Sequence, residues 1–543
     1  MRNVPTTHYF SYISKAMQRY WDNPILTDYE SSVEYTFSAL ATQIANLSVL
    51  FDVIGVKEGE KIAICAKSCS NWAAVFLAIA ASKRVVVSIL PDYAADDIHF
   101  MINHSDSRML FTDKYVYRRL QPQAMSMLEC IIDLEGFEWK YGTAETENRF
   151  LTWSDTFEKK YPQGISKTDI HYPTDNLDEL AVINYTSGTT GSPKGVMLSH
   201  RNLSSNVTFG QVEFPSFEGE NILSILPLSH IFGLMYEFLY QIAGGIHIYY
   251  LTKAPTPANL MRAFRDVKPY MMMSVPLIIE KIVTKKVMPT LAKASVSWLW
   301  QTPLLDRIIA NRVKKEMLNA FGGRLQFVII GGAAFSEETE SVLKKVGFPY
   351  TCGYGLTECA PLVSYLDWHY YKPRSVGRLV DRMEVKVSTA ADSPSEILLR
   401  GENVMIGYYK NEQATTDTFT KDGWFRTGDM GYIDKDGNLF VSGRCKTMIL
   451  GASGQNIYPE EIETKISTIK GVVENLVVER DGKLIALIYP EPWVKKQVEK
   501  WQQETLLNIN KRLPAYSRIA AIELQDEEFK KTPKQSIKRI LYQ

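Results

Sequence analysis

The run Tyr185-Thr186-Ser187-Gly188-Thr189-Thr190-Gly191-Ser192-Pro193-Lys194-Gly195 constrains this chain more than any other stretch. Glycines let backbone amides converge on an anion. The hydroxyls of Thr186, Ser187, Thr189 and Thr190 and the ammonium of Lys194 add donors. The apolar residues 180–183 before the run read as a buried strand, and Ser199-His200-Arg201-Asn202 after it reads as a helix start. Strand, glycine-rich loop and helix together form a phosphate-binding arrangement, in which the helix turns its positive end to the anion. The loop is not of the G-x-x-x-x-G-K-[ST] kind. Pro193 stands where that pattern needs its second glycine, and Gly195 stands where it needs a metal-binding hydroxyl. A flexible Ser/Thr/Gly linker is the plain alternative, but linkers seldom fix a lysine between proline and glycine.

A chain of 543 residues has room for two or more domains with large cores. Its composition is that of an ordinary globular protein, 45% hydrophobic and 22% charged. The 61 basic and 61 acidic residues cancel, so no global basicity points to nucleic acid. The six cysteines are scattered, without paired C-x-x-C spacing, and suggest neither a zinc site nor a disulfide framework. A reducing cytoplasmic compartment is expected. Residues 1–10 lack an apolar signal core, and the long apolar stretches 72–90 and 231–251 are broken by charges, so neither reads as a membrane span.

Read in order, residues 37–51 form a helical pattern, 61–65 a strand, 71–81 a helix rich in small residues and 85–90 a β-branched strand. The alternation predicts an α/β fold with a parallel sheet covered by helices. Residues 135–175 are polar and poorly periodic and read as surface excursions. Residues 221–226 form another strand, running into Pro227-Leu228-Ser229-His230-Ile231-Phe232-Gly233. Ligands of open parallel sheets sit beyond the carboxyl ends of strands, which places His230 and Phe232 well. Taken alone, His230 reads more readily as a hydrogen-bonded structural histidine. The Met-, Leu-, Ile- and Tyr-rich segments 234–250 and 271–282 read first as core and second as the wall of a long apolar pocket.

A strand over 324–330 is closed by Gly331-Gly332-Ala333-Ala334, and another leads into Gly353-Tyr354-Gly355-Leu356-Thr357-Glu358. Tyr354 is suited to stacking on a purine, and Glu358 to Mg²⁺, a hard cation that takes carboxylate and phosphate oxygens. Each singly is also explained by a turn and a surface acid. Gly423-Trp424-Phe425-Arg426-Thr427-Gly428-Asp429 places a carboxylate after a tight turn, where it can accept both hydroxyls of a ribose. From about residue 446 the pattern becomes that of a small α+β domain. Pro459-Glu460-Glu461 opens a helix, a hairpin turns about Asp481-Gly482, and the tail is basic.

YTSGTTGSPKG, GYGLTE and GWFRTGD in this order resemble the adenylate-forming superfamily of acyl-CoA synthetases, peptide-synthetase adenylation domains and luciferases. The likeness covers essentially the whole chain. PLSHIFG, GGAAF and GASGQNIYPEEIE look like long-chain fatty acyl-CoA synthetases. The resemblance implies a large multi-sheet amino-terminal domain, 1–445, and a small mobile α+β domain, 446–543. It implies two half-reactions: a fatty acid carboxylate attacks the α-phosphate of ATP, and CoA thiol then displaces AMP. By the same resemblance, the loop Thr186, Ser187, Gly188, Thr189, Thr190, Gly191 and Lys194 would hold the β- and γ-phosphates, and Thr186 and Glu358 would hold Mg²⁺. Tyr354 would pack on adenine beside Gly332, Ala333 and Gly355. Thr357 would contact the α-phosphate, Asp429 the ribose, and Arg444 the nucleotide. His230 would lie by the acyl carboxylate, with Phe232 and Gly331 on the acyl path. Lys446 would be the hinge, and Gly454 would leave room for the pantetheine arm of CoA.

One departure stands out. The superfamily carries a lysine in a carboxyl-terminal G-K-I-x-R pattern, where it meets the carboxylate and α-phosphate. Aligned on Ile537 and Arg539, that position is Ser536. Losing one such donor costs about 10²–10³ in rate. Lys534 and Lys538 flank the position, and residues two apart share a face of an extended segment, roughly 6.6 Å along it. Either Lys534, the favoured one, or Lys538 substitutes, or adenylation proceeds slowly without a lysine. The leading expectation is a long-chain fatty acid–CoA ligase. The alternatives are loading of an acyl carrier protein, or a nucleotide-binding protein without ligase activity. A substrate that partitions into bilayers makes peripheral membrane contact an added expectation, although no anchor is visible. Acyl chain length and oligomeric state are not legible.

Overall fold

The computed structural model describes residues 4–31, 33–186, 193–214, 218–283, 287–291, 300, 302, 305–332, 335–450, 456–532 and 536–543. Ser187, Gly188, Thr189, Thr190, Gly191, Ala333, Gly454 and Lys534 therefore lie outside the described residues.

Two large sheets make the frame. One has eight strands in the order 407–408, 194–199, 180–186, 85–89, 61–65, 107–112, 130–133, 139–142. Its five central strands, from 180–186 to 130–133, run parallel, with antiparallel strands at both edges. The strands Val85–Ile89 and Cys130–Asp133 are buried throughout, as a sheet covered on both faces requires. The second sheet has seven strands in the order 350–352, 327–330, 271–274, 221–224, 247–250, 24–28, 34–36. All its pairs are parallel except the last. Their carboxyl ends deliver residues 225–232, Gly331 and Gly353 to one rim.

Phe37–Ile54 is long and apolar enough to cross a membrane by length and composition, yet half of it is buried inside the fold. Thr36 caps its start and Gly55, at φ +95°, ends it. Residues 135–175 are not mere surface excursions. Trp139–Gly142 closes the sheet edge, and the helices Ala144–Leu151 and Trp153–Lys160 lie on the 37–54 helix. Trp153 Nε1 donates to Asn46 O at 2.8 Å, and Arg149 reaches Ile54 O at 3.2 Å. Two eight-residue helices are shorter than the window over which apolar periodicity can be read.

The segments 234–250 and 271–282 are chiefly core. Met235, Tyr236, Phe238, Leu239, Tyr240, Met271 and Met273 belong to the main hydrophobic cluster. The helix Ile231–Ala243 widens over Leu234–Leu239, where Tyr240 N–H reaches back to Met235 O. Gln241 Nε2 donates to Tyr236 O at 2.8 Å within this widened turn. The turn also carries Glu237, which is 1% exposed. Glu237 Oε2 accepts from Ser224 Oγ at 2.8 Å, Ile225 N at 3.1 Å and Leu226 N at 2.9 Å. This carboxyl fixes the bend between strand 221–224 and His230. The final α+β unit has its own small core of Ile457, Ile462, Ile466, Val477, Ala486, Ile488 and Trp501. Its hairpin turns at Asp481 and Gly482, both at positive φ, as expected.

Burial pushes the Glu237 carboxyl up to about 8, against the hydrogen bonds that favour its charge. A raised folded value means that the stability contribution is full below the unfolded value of about 4.3 and is lost as pH rises through about 8. Glu237→Gln keeps an acceptor and cannot ionise. Thermal melts at pH 5 and pH 9 are expected to show the midpoint of the variant gaining on the wild type at the higher pH. A gap that does not change with pH would show that Glu237 does not titrate in the fold.

Candidate active site

The strands that flank the phosphate-loop run pair with each other. Leu180–Thr186 pairs antiparallel with Lys194–Ser199, with Thr186 opposite Lys194 and Leu180 opposite Ser199. The expected strand–loop–helix order is thus corrected to strand–loop–strand–helix. The helix His200–Glu213 does begin at Ser199, with a reciprocal cap between Ser199 and Asn202. Its positive end lies at the far end of the hairpin, roughly 17 Å of strand from Lys194. Its dipole therefore contributes little at the loop. The second strand escaped notice because its residues 194–199 lead straight into the helix signal.

The edge strand Gly407–Tyr408 pairs with Val196 and Met197 and sets Tyr408 beside the hairpin tip. The Lys194 ammonium lies over the Tyr408 ring, 5.0 Å from its centre. The Tyr408 hydroxyl donates to Glu358 Oε1 at 2.9 Å. Met405 N donates to Glu358 O at 2.8 Å, tying the same strand to the turn Thr357–Cys359. Tyr408 thus joins two residues named from sequence, Lys194 and Glu358, that lie far apart in the chain. It gave no signal of its own, being one aromatic in Gly407-Tyr408-Tyr409.

Beside this lies a second cluster. Tyr354 Oη donates to Asp429 Oδ2 at 2.5 Å, and Arg444 Nε lies 3.3 Å from Asp429 Oδ1. Asp429 and Arg444 face each other across the pair of strands Phe425–Ile433 and Leu439–Arg444. Burial raises the Asp429 carboxyl, and the Arg444 guanidinium opposes that rise. Burial also drives the Tyr354 hydroxyl far up, with the Asp429 charge adding to it, so Tyr354 stays a neutral donor. Tyr354 was expected as a purine platform, and its contact with Asp429 adds a role. Gly355 has no room for a side chain, since a Cβ there would stand 2.2 Å from Pro361 O.

The third cluster is at the rim of the seven-stranded sheet. A Cβ on Gly331 would stand 3.5 Å from the Phe232 ring and 3.7 Å from Gly353 O. Phe232, Gly331 and the start of Gly353-Tyr354 are therefore neighbours. Gly332 has φ +88°. His230 Nδ1 accepts from Phe232 N at 3.3 Å and caps the helix that begins at Ile231. Asn184 Nδ2 donates to Ser229 O at 2.9 Å, linking the phosphate hairpin to the His230 loop. Thr357 is buried beside Glu358.

One contact joins the strand Leu439–Arg444 to the final unit: a Cβ on Gly443 would stand 2.8 Å from the Tyr458 ring. Just past Lys446, Thr447 Oγ1 donates to Glu460 Oε1 at 2.6 Å within that unit. In the tail, Arg539 holds both carboxylate oxygens of Glu463 at 2.8 Å and donates to Val477 O. Ser536 and Lys538 are exposed.

The donor set bears on a metal ion. Among the described residues no group of three His, Cys, Asp or Glu side chains could form a cage. Thr186 and Glu358 offer one hydroxyl and one carboxylate, joined through Lys194 and Tyr408. Few hard protein oxygens, completed by phosphates and water, suit Mg²⁺.

A family model described as AMP-binding enzyme matches residues 13–409. Long-chain-fatty-acid–CoA ligase 1 of Schizosaccharomyces pombe is 28% identical over 523 residues, which cover 89% of this chain and 75% of that protein. Probable 4-coumarate–CoA ligase 2 of Dictyostelium discoideum is 25% identical over 477 residues, covering 84% of this chain and 80% of that protein. The fold is shared with the anthranilate CoA ligase AuaEII in complex with anthranoyl-AMP, with a TM-score of 0.79, 18% identity, and coverage of 100% of this chain and 98% of that one. Because the family match runs through both large sheets and through the segments of Lys194, Tyr354 and Glu358, the chain belongs to the AMP-binding enzyme family.

Proposed function

We propose that this protein is an ATP-dependent long-chain fatty acid–CoA ligase, working through an acyl adenylate. The observation that carries the reading is the placing of two clusters side by side: Lys194 and Glu358 on the two ends of Tyr408, and Tyr354 and Arg444 on Asp429, with the Glu358 charge close enough to help raise the Asp429 carboxyl. A carboxylate is a poor acylating agent, and transfer of AMP gives it a good leaving group. The protein then has two tasks, to align reactants and to stabilise charge on phosphate oxygens. Lys194 supplies a point charge to the polyphosphate. Asp429 accepts the ribose hydroxyls, and Tyr354 fixes the orientation of that carboxylate while its ring meets the base. Thr186 and Glu358 would hold Mg²⁺, which when bound neutralises phosphate charge. Thr357 meets the α-phosphate, and His230 lies at the acyl carboxylate. The unit from residue 446 on turns about Lys446, so that one site excludes water in the first step and admits a thiol in the second. The protein is cytoplasmic in this reading, with peripheral contact to membranes where its substrate resides.

Long-chain acids are favoured by the kinship with fatty acid–CoA ligases and by the Phe232 ring beside Gly331. Each methylene buried contributes about 0.8 kcal/mol. AMP release is therefore expected to rise in kcat/KM from butyrate to hexadecanoate, by about tenfold for every two carbons until the pocket is filled, and to require free CoA for turnover. A preference for acetate, benzoate or a coumarate-like acid would refute the long-chain reading. Turnover with an acyl carrier protein and not with CoA would replace the acceptor.

Arg539 is engaged with Glu463, so in this reading a tail lysine, Lys534 ahead of Lys538, supplies the charge that Ser536 does not. ATP–pyrophosphate exchange is expected to fall by about 10²–10³ in Lys534→Ala and to stay near wild type in Ser536→Ala and Lys538→Ala. Full exchange in both lysine variants would leave adenylation independent of a tail lysine.

A further inference from the structure

We propose that Tyr408 is a positioning residue that holds the Lys194 ammonium and the Glu358 carboxylate apart, so that both are available to Mg·ATP. The proposal rests on the nucleotide-site reading above. Its ring occupies the space beneath the Lys194 ammonium, at 5.0 Å, while its hydroxyl holds Glu358 at 2.9 Å. Among the described residues Lys194 forms no ion pair with Glu358 or with any other carboxylate. Opposite charges on the two ends of one side chain would be drawn towards each other in a half-buried site if that side chain were absent. A direct pair would cancel both handles, and ATP would have to break it before binding. A tyrosine solves this with two separate surfaces. The electron-rich face takes the cation, and the polar tip takes the anion.

The backbone keeps Tyr408 from swinging away. Ile406 N donates to Met197 O at 3.0 Å, and Tyr409 N donates to Gly195 O at 2.8 Å. Tyr408 N itself donates to Thr415 Oγ1 at 2.9 Å. The residue before it, Gly407, has no space for a side chain, because a Cβ would stand 2.8 Å from Thr415. Tyr408 is 9% exposed, so its hydroxyl has little water to bond in place of Glu358.

The test is Tyr408→Phe, which keeps the ring and removes the hydroxyl, with Tyr408→Leu, which removes both. Calorimetry of the full-length protein is read with AMP alone and with a non-hydrolysable ATP analogue over a Mg²⁺ titration. AMP lacks the β- and γ-phosphates and needs neither Lys194 nor the metal. Tyr408→Phe is expected to weaken the Mg²⁺-dependent binding of the analogue by about tenfold and to raise the Mg²⁺ concentration at half-saturation. AMP affinity is expected to stay within about twofold. Tyr408→Leu is expected to lose about tenfold more on the analogue, again sparing AMP. Equal losses for AMP and the analogue would show a purely structural tyrosine and overturn the proposal. Unchanged binding of both ligands would overturn it as well. Wild-type protein that binds neither ligand would instead remove the nucleotide-site reading, and this proposal with it.

Discussion

A short backbone pairing decides whether the site exists at all. Ile406–Tyr409 adds a third strand to the phosphate hairpin, while Met405 N on the same segment holds the carbonyl of Glu358. Three pieces of chain spread over more than two hundred residues are thereby fixed to one another. Backbone hydrogen bonds suit this task because they set register as well as distance. Asn202 reinforces the join, since its amide donates to both Glu402 O and Val404 O. The helix that failed to aim its dipole at the loop thus contributes differently, by gripping the segment that carries Tyr408.

Two buried carboxyls show how the fold manages charge near the reaction. Asp429 is shielded from water but shares its oxygens with Tyr354 and Arg444. Glu237 lies deeper, and three donors converge on one of its oxygens. Asp429 is placed where a ligand can compete for its partners, and Arg444 is 64% exposed on its side chain, so that pair costs little to open. The donors of Glu237 are backbone amides and a serine inside the core, so it serves geometry and not ligand exchange. The difference follows from what surrounds each carboxyl, since both lie below a tenth exposed.

Much of the frame was legible in the chain. The β-branched strand at 85–89, the helix at 71–81 and the capped start at Ser199 all follow from local pattern. Lys194, Glu358, Tyr354 and Asp429 could be named because glycines and turn residues mark their segments. What stayed hidden depends on contacts distant in sequence. The strand 194–199 was masked by the helix that follows it. Tyr408 carries no local mark, and its role arises from a sheet edge that no periodicity announces. Glu237 read only as a charge that breaks an apolar stretch, whereas its place inside the core follows from the widened helical turn.

The same logic bears on why the tail departs from the superfamily pattern without dismantling the small unit. Arg539 is spent on Glu463, which also takes Val477 N, so the end of the chain is tied to the core of that unit by a half-buried bidentate pair. Both Glu463 oxygens are met by the one Nη2, while Nη1 turns to Val477 O. Burial raises the Glu463 carboxyl and Arg539 opposes it, so removing Arg539 would leave a nearly buried carboxyl short of its partner. Ser536, by contrast, is exposed, and its backbone pairs with Thr532. Ser536 is thus a position that the small unit does not need for its own packing.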